Sequence, residues 1–274
     1  MPAACALVWV EGADAGSFLQ GLLSNDVLRL AVGQSCQALL LDRKGRIQVD
    51  MRVVRDGEQA FTLVVDEALG DRLADTLEEF HFSEDLDLTG PEPFALVTVG
   101  GLAEPPPQGA ADIVLPGRIP GTHDLVGTDA GAIMSALGVP AAPAEALEAH
   151  RIEAGVPRVG AEIAGTTLVQ EVGLESVAVS FDKGCYLGQE TVARTAYRGH
   201  VNRVLRGLEL PAPALPGAGI EHAGKVVGRL SSTAVSPVHG SIALAVLHRS
   251  AEVGAEVAVE GVEGSARVRA LPFA

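Results

Sequence analysis

Three features of this chain have the residue types and spacing for chemistry. The first is Lys183-Gly184-Cys185-Tyr186-Leu187-Gly188-Gln189-Glu190, running on through Arg194. It places one of three cysteines two residues from one of three lysines. Gly184 is expected to take φ > 0 and turn the chain, and the helix formers from Gln189 to Arg194 put Cys185 within a turn of a helix N-terminus. Unpaired N–H groups, the helix dipole and a neighbouring ammonium favour an anion there. Those are the conditions that make a thiolate available. A small buried hydrophobe in a turn accounts for the same cysteine, and both readings stay open. The second feature is Asp50, an acid within a strand, where a polar residue on the strand's outer face accounts for it equally. The third is the run Arg194, Arg198, His200, Arg203 and Arg206, a local positive stretch suited to an anionic ligand or partner.

Composition narrows what this chemistry serves. With a net charge of −15, broad binding to nucleic-acid phosphates is disfavoured. Cys5, Cys36 and Cys185 are far apart with no C-x-x-C. That pattern gives no zinc ribbon, no disulfide framework and too few thiolates to hold an iron–sulfur cluster, so no metal site is expected. No apolar run is long enough to cross a bilayer, and residues 1–10 lack the basic start of a signal peptide and read as a first strand. A cytoplasmic, reducing location is the expectation. G-x-G-x-x-G after a strand, G-x-x-x-x-G-K-[ST], H-E-x-x-H and G-x-S-x-G are all missing, so dinucleotide, P-loop, zincin and α/β-hydrolase classes have no support.

The elements that must position these residues follow from periodicity. Strands are expected at 8–10, 37–41, 47–54, 61–65, 86–88, 94–99, 113–115 and 123–126. Helices are expected after Asp14, at 66–80, at 129–137 and at 144–154, the last ending at Gly155. Asp42-Arg43-Lys44-Gly45-Arg46 is a hairpin turn. Asn25 and Asp26 stop the first helix and present polar groups at its end. Residues 104–109 are a loop or linker, and Pro211–Gly217 is the clearest boundary signal. Beyond it, short strands between turns at 225–230, 241–247, 256–259 and 266–271 suggest a small β-barrel.

K-G-C-Y-L-G-Q-E resembles the signature of the YgfZ family, folate-binding proteins linked to iron–sulfur enzyme maturation and tRNA modification, whose fold is similar to the glycine cleavage T-protein. V-x-G-A-D-A-x-x-F-L-Q-G-x-x-S-N-D-V at 10–27, L-L-D-x-K-G-R-I at 40–47, R-I-E-A-G-x-P at 151–157 and the segment 166–174 resemble the same family. The resemblance implies an α+β, T-protein-like fold, with ferredoxin-like units around a central folate pocket and a C-terminal β-barrel. It implies a discontinuous folate-binding domain at 1–48 and 112–205, an inserted domain at 49–111 and the barrel at 206–274. Tetrahydrofolate or a derivative is the implied cofactor. Cys185 is the implied essential thiol, Lys183 its electrostatic support, and Asp50 stands where T-proteins carry an acid near the reactive nitrogens of folate. Asn25, Asp26, Asp42, Lys44, Tyr186, Gln189, Glu190, Arg194 and Arg198 complete the implied folate-binding set. The implied role is assistance to maturation or repair of iron–sulfur enzymes, including tRNA-modifying ones. Iron–sulfur assembly factors or client enzymes are the partners, with no direct nucleic acid and no membrane. The alternative is a folate-dependent aminomethyltransferase or demethylase acting on a small amine.

Overall fold

The structure is a computed structural model that describes residues 2–102, 104–107 and 109–274, with the backbone alone for Pro2 and Arg198. The chain forms two compact units. One comprises Met1–Gly117, Gly121–Pro140 and Leu174–Arg194; the other comprises Arg118–Pro120, Ala141–Gly173 and Thr195–Ala274.

The first unit contains β1 (Pro2–Glu11), α1 (Ala15–Leu22), β2 (Ser35–Leu41), β3 (Ile47–Arg55), β4 (Ala60–Asp66), α2 (Gly70–Phe80), β5 (Asp87–Gly100), β6 (Ile113–Pro116), β7 (Thr122–Gly127) and α3 (Ala130–Leu137). Its seven strands make one sheet in the order β2-β3-β4-β1-β5-β7-β6, with every neighbouring pair antiparallel. The period of two decides which residues share a face. Val49, Met51 and Val53 of β3 join Val8, Val10, Leu63 and Val65 in a core closed by Phe18 and Leu19 of α1 and Leu73 and Leu77 of α2. Alternation sends Asp50, Arg52 and Val54 to the other face, where Val54 packs with Leu7, Val64 and Val126. Asp50 is thus set into the face of the sheet that α1 and α2 leave uncovered.

The second unit holds α4 (Ala144–Ala154), and the chain returns to the first for α5 (Glu175–Ala178) and the start of α6 (Gln189–Arg198). The remaining strands are β8 (Arg203–Glu209), β9 (Gly219–His222), β10 (Lys225–Arg229), β11 (Ser232–Ser236), β12 (Gly240–His248), β13 (Glu256–Val259) and β14 (Ser265–Arg269). They form a second antiparallel sheet, β10-β9-β13-β14-β8-β12-β11. A Cβ on Gly228 of β10 would lie 2.9 Å from the Val246 carbonyl of β12. The sheet therefore curls until strands distant in its order meet, and only glycine permits that approach.

Several expectations change. The pieces at 86–88 and 94–99 are one strand, β5, because β1 pairs along it from Asp87 to Val97 and absorbs Gly90-Pro91 in a register shift between Leu7 and Trp9. The Pro211–Gly217 stretch is a connection inside one sheet rather than a boundary, since β8 before it pairs with both β12 and β14 after it. The expected division at 48/49 falls within β3, whose ladders run to β2 on one side and β4 on the other. Compact packing gathers these segments into the two units given above. The α+β class and the helix at 129–137 hold, the latter with the Asp129 carboxylate accepting from the Gly131 and Ala132 amides.

Candidate functional site

The signature segment enters α6 through a turn that glycine makes possible, though not the expected one. Gly188 has φ 81°, whereas Gly184 is not left-handed. A Cβ on Gly188 would lie 2.5 Å from the Asp42 carbonyl oxygen and 3.2 Å from the Gly45 Cα. Gly45, with φ 73°, returns the approach: its Cβ would meet Thr191 Cβ at 3.0 Å. The D-x-K-G hairpin and the cysteine signature therefore touch backbone to backbone, through glycines on both sides.

Cys185 is exposed in this lead-in, while Cys5 is buried and Cys36 half-buried. Burial pushes the Cys5 thiol up to about 12, with Glu67, Asp124 and Asp66 adding to it. Burial likewise raises Cys36 to about 11, against the opposing charges of Arg52 and Lys183. Lys183 is buried, and its ammonium donates to Leu23 O at 2.7 Å and Asn25 O at 2.8 Å. It also lies 5.3 Å from the ring centroid of Tyr186. Burial lowers its pKa to about 8, with Asp26 and Cys36 pulling the other way. The hydrogen bonds of Lys183 thus hold the end of α1.

The segment those bonds hold is itself tied to the sheet. Ser24 Oγ donates to Ala178 O at 2.6 Å and accepts from Leu39 N at 2.9 Å. Asn25 Nδ2 donates to Gln37 O at 2.8 Å and Val177 O at 3.3 Å, while its Oδ1 accepts from Asp26 N. Asp26 accepts from Gln20 Nε2 at 2.9 Å and pairs with Arg29 at 3.1 Å. Gln37 Nε2 in turn donates to Asp50 Oδ1 at 2.8 Å, and Asp50 is 1% exposed. Lys183, Asn25, Gln37 and Asp50 come together here, joined by successive hydrogen bonds.

The other sequence candidates divide by role. Asp42 folds the hairpin, accepting from the Lys44 and Arg46 amides and pairing with Arg46 at 3.2 Å. Lys44, Glu190 and Arg194 are exposed, and Gln189 reaches back to Gly184 O at 3.5 Å. Tyr186 is buried, which raises its phenol to about 12. The side chain of Arg198 lies outside the described residues. Arg203 is bound to Glu171 within the second unit, at 2.9 Å and 3.1 Å, so the expected arginine stretch is not a uniform free surface. Among the described residues, no three His, Cys, Asp or Glu side chains are grouped to hold a metal ion, and no helix is long and apolar enough to cross a membrane.

Gln37, Ser24 and Gly188 were missed. Gln37 had a signal, being the polar residue that opens the apolar run 38–41 in its strand. Ser24 reads as part of a helix stop until its buried hydroxyl is seen bridging two strands of chain.

The GCVT N-terminal domain family matches residues 4–100. The chain is 28% identical over 297 residues to the tRNA-modifying protein YgfZ of Klebsiella pneumoniae, covering 98% of this chain and 90% of that protein. It is 28% identical over 236 residues to the protein of the same name from Shigella dysenteriae, covering 78% and 72%. The crystal structure of glycine cleavage system aminomethyltransferase T from Bartonella henselae superposes with a TM-score of 0.82 over the whole chain and 86% of that protein, at 20% identity. The chain is similar to the YgfZ proteins over nearly its whole length and has a T-protein-like fold. The T-protein likeness, at that identity, carries the fold alone. Two of the segments that resemble YgfZ proteins, K-G-C-Y-L-G-Q-E and L-L-D-x-K-G-R-I, are the ones that Gly188 and Gly45 bring into contact.

Proposed function

We propose that this chain binds tetrahydrofolate or a derivative, and that in a role connected with tRNA modification it assists maturation or repair of iron–sulfur enzymes, with Cys185 as the acting thiol. The observation that carries this reading is the exposure of Cys185 in the family signature, while the other two thiols are withdrawn and held protonated. Only a thiol that solvent reaches can exchange sulfur, attack a one-carbon unit or briefly ligate iron. Asp50 supports the folate part. It is a carboxylate acceptor set in a sheet face and oriented by Gln37, and the N–H donors of a pterin complement such an acceptor. Tetrahydrofolate, when bound, supplies a one-carbon carrier. The residues of the chain would orient it, with Asp50 accepting from ring N–H groups and the exposed Arg194 facing a carboxylate tail. The partners are iron–sulfur assembly factors or client enzymes in the cytoplasm, and the net charge of −15 speaks against a direct grip on RNA.

The T-protein-like fold and the burial of Asp50 favour one second reading, a folate-dependent aminomethyltransferase or demethylase in which Asp50 directs an amine. Substitutions separate the two in cells lacking the chain, assayed for the activity of an iron–sulfur tRNA-modifying enzyme. Wild type is expected to restore it and Cys185→Ala to leave it at the level of the deletion. Full restoration by Cys185→Ala, with none by Asp50→Ala, would overturn the first reading in favour of the second.

A further inference from the structure

The two features read separately from the sequence, the Cys185 signature and Asp50, are connected. Lys183 Nζ donates to Asn25 O at 2.8 Å, Asn25 Nδ2 to Gln37 O at 2.8 Å, and Gln37 Nε2 to Asp50 Oδ1 at 2.8 Å. The polarity agrees at each step. Asn25 Oδ1 is occupied by the Asp26 amide, which leaves Nδ2 for the β2 carbonyl. The acceptor at the far end is a carboxylate, which takes the NH2 group of Gln37 rather than its oxygen. The near end is fixed as well, because Lys183 also holds Leu23 O and packs on Tyr186, the residue after Cys185.

We propose that Lys183 is a positioning residue, and that Lys183, Asn25 and Gln37 couple the Cys185 segment to Asp50, so that what binds at Asp50 sets the reactivity of the Cys185 sulfur. This rests on the reading of Asp50 as the ligand-facing acid. A ligand that draws on the Asp50 carboxylate competes with Gln37 for it. If Gln37 shifts, the β2 carbonyl that accepts from Asn25 Nδ2 shifts with it, and Asn25 must follow or keep only its longer bond to Val177 O at 3.3 Å. Asn25 carries with it one of the two carbonyls that hold Lys183, and Lys183 is two residues from Cys185. The charged and titratable groups around the lysine are Asp26, Cys36 and Tyr186, each on a different segment of the first unit. Each hydrogen bond is directional with both partners fixed, so the chain has few ways to absorb a displacement without passing it on.

The test reads the alkylation rate of Cys185 by iodoacetamide, peptide by peptide. Asp50→Asn, which perturbs the far end without any ligand, is expected to change that rate about threefold or more. In Asn25→Ala and in Gln37→Met, adding Asp50→Asn is expected to change it no further. Lys183→Arg, which keeps two donors, retains the response, and Lys183→Met loses it. A residue that merely props the fold would slow or speed all variants alike and would not remove the response to Asp50→Asn. Should Asn25→Ala fail to fold, Gln37→Met at a half-buried position decides the same point. An unchanged Cys185 rate in folded Asp50→Asn overturns the coupling, as does a response that persists through Gln37→Met. Tetrahydrofolate is then added to wild type and is expected to shift the rate in the same direction as Asp50→Asn. Absence of tetrahydrofolate binding would sink the folate reading alone, since the ligand-free comparison still decides the coupling.

Discussion

Arg151 in the second unit and Lys183 in the first are both buried cations, and they are treated in opposite ways. In the second unit Arg151 is surrounded by charge: Glu148 at 2.7 Å and 2.9 Å, Glu162 at 3.2 Å, the Ser232 hydroxyl at 2.6 Å and the Val156 carbonyl at 2.6 Å. Burial pulls its pKa down, but hydrogen bonds and charge from the two glutamates outweigh this and raise it. In the first unit Lys183 is given neutral carbonyls, and burial brings it down to about 8. The guanidinium with its carboxylates is a fixed joint, locking α4 to the 158–162 turn and to β11. The ammonium is held less firmly, within reach of physiological pH, and it belongs to the segment that carries the exposed thiol. Perturbed ionisation gathers at functional sites, although structural ion pairs perturb it too. What separates the cases here is direction: Arg151 is stabilised in its charged form and Lys183 is not.

The largest effect that tests this contrast is in the second unit. Arg151→Met leaves Glu162, whose side chain is fully buried, without its cation. A loss of roughly 3–5 kcal/mol is expected in denaturant unfolding. A loss under about 1 kcal/mol would show that Arg151 is no joint.

Next comes the backbone contact that places the signature. Gly188→Ala puts a Cβ 2.5 Å from the Asp42 carbonyl at a left-handed φ, and should cost roughly 1–3 kcal/mol. Gly184→Ala, with nothing within 4 Å of its Cβ and no positive φ, should cost less than about 1 kcal/mol. Equal costs at the two positions would contradict the assignment of the turn to Gly188.

The smallest effect is the pH dependence of Lys183. Its pKa is lowered from 10.5 to about 8 on folding, so the unfolded chain binds this proton more tightly. The cost of burying the charge is fully present below pH 8 and is relieved as pH rises from 8 toward 10.5. The stability of wild type minus that of Lys183→Met, measured by urea unfolding, should therefore rise across that window. A flat or falling difference would place Lys183 with Arg151 after all.

The signature, the D-x-K-G hairpin and most strands were legible because each is local: glycine at a turn, apolar alternation, an N-cap at Asp129. What was not legible is long-range. Nothing in K-G-C-Y indicates that Lys183 reaches back 160 residues to Leu23, or that Gly188 rather than Gly184 makes the turn, since both glycines are equally permissive until a partner approaches one of them. Gln37 was overlooked because its partner, Asp50, stands on the next strand at a diagonal that only register reveals. The boundary expected at Pro211–Gly217 failed for a related reason: proline and glycine mark a bend in the chain, and pairing between β8 and β12 across that bend leaves no trace in composition.

The folate reading meets its most direct test in calorimetric titration of the protein with tetrahydrofolate, wild type beside Asp50→Asn. Saturable binding to one site, weakened about tenfold or more by Asp50→Asn, is the expected result. No heat of binding to the folded wild type, or the same affinity in both proteins, would contradict it.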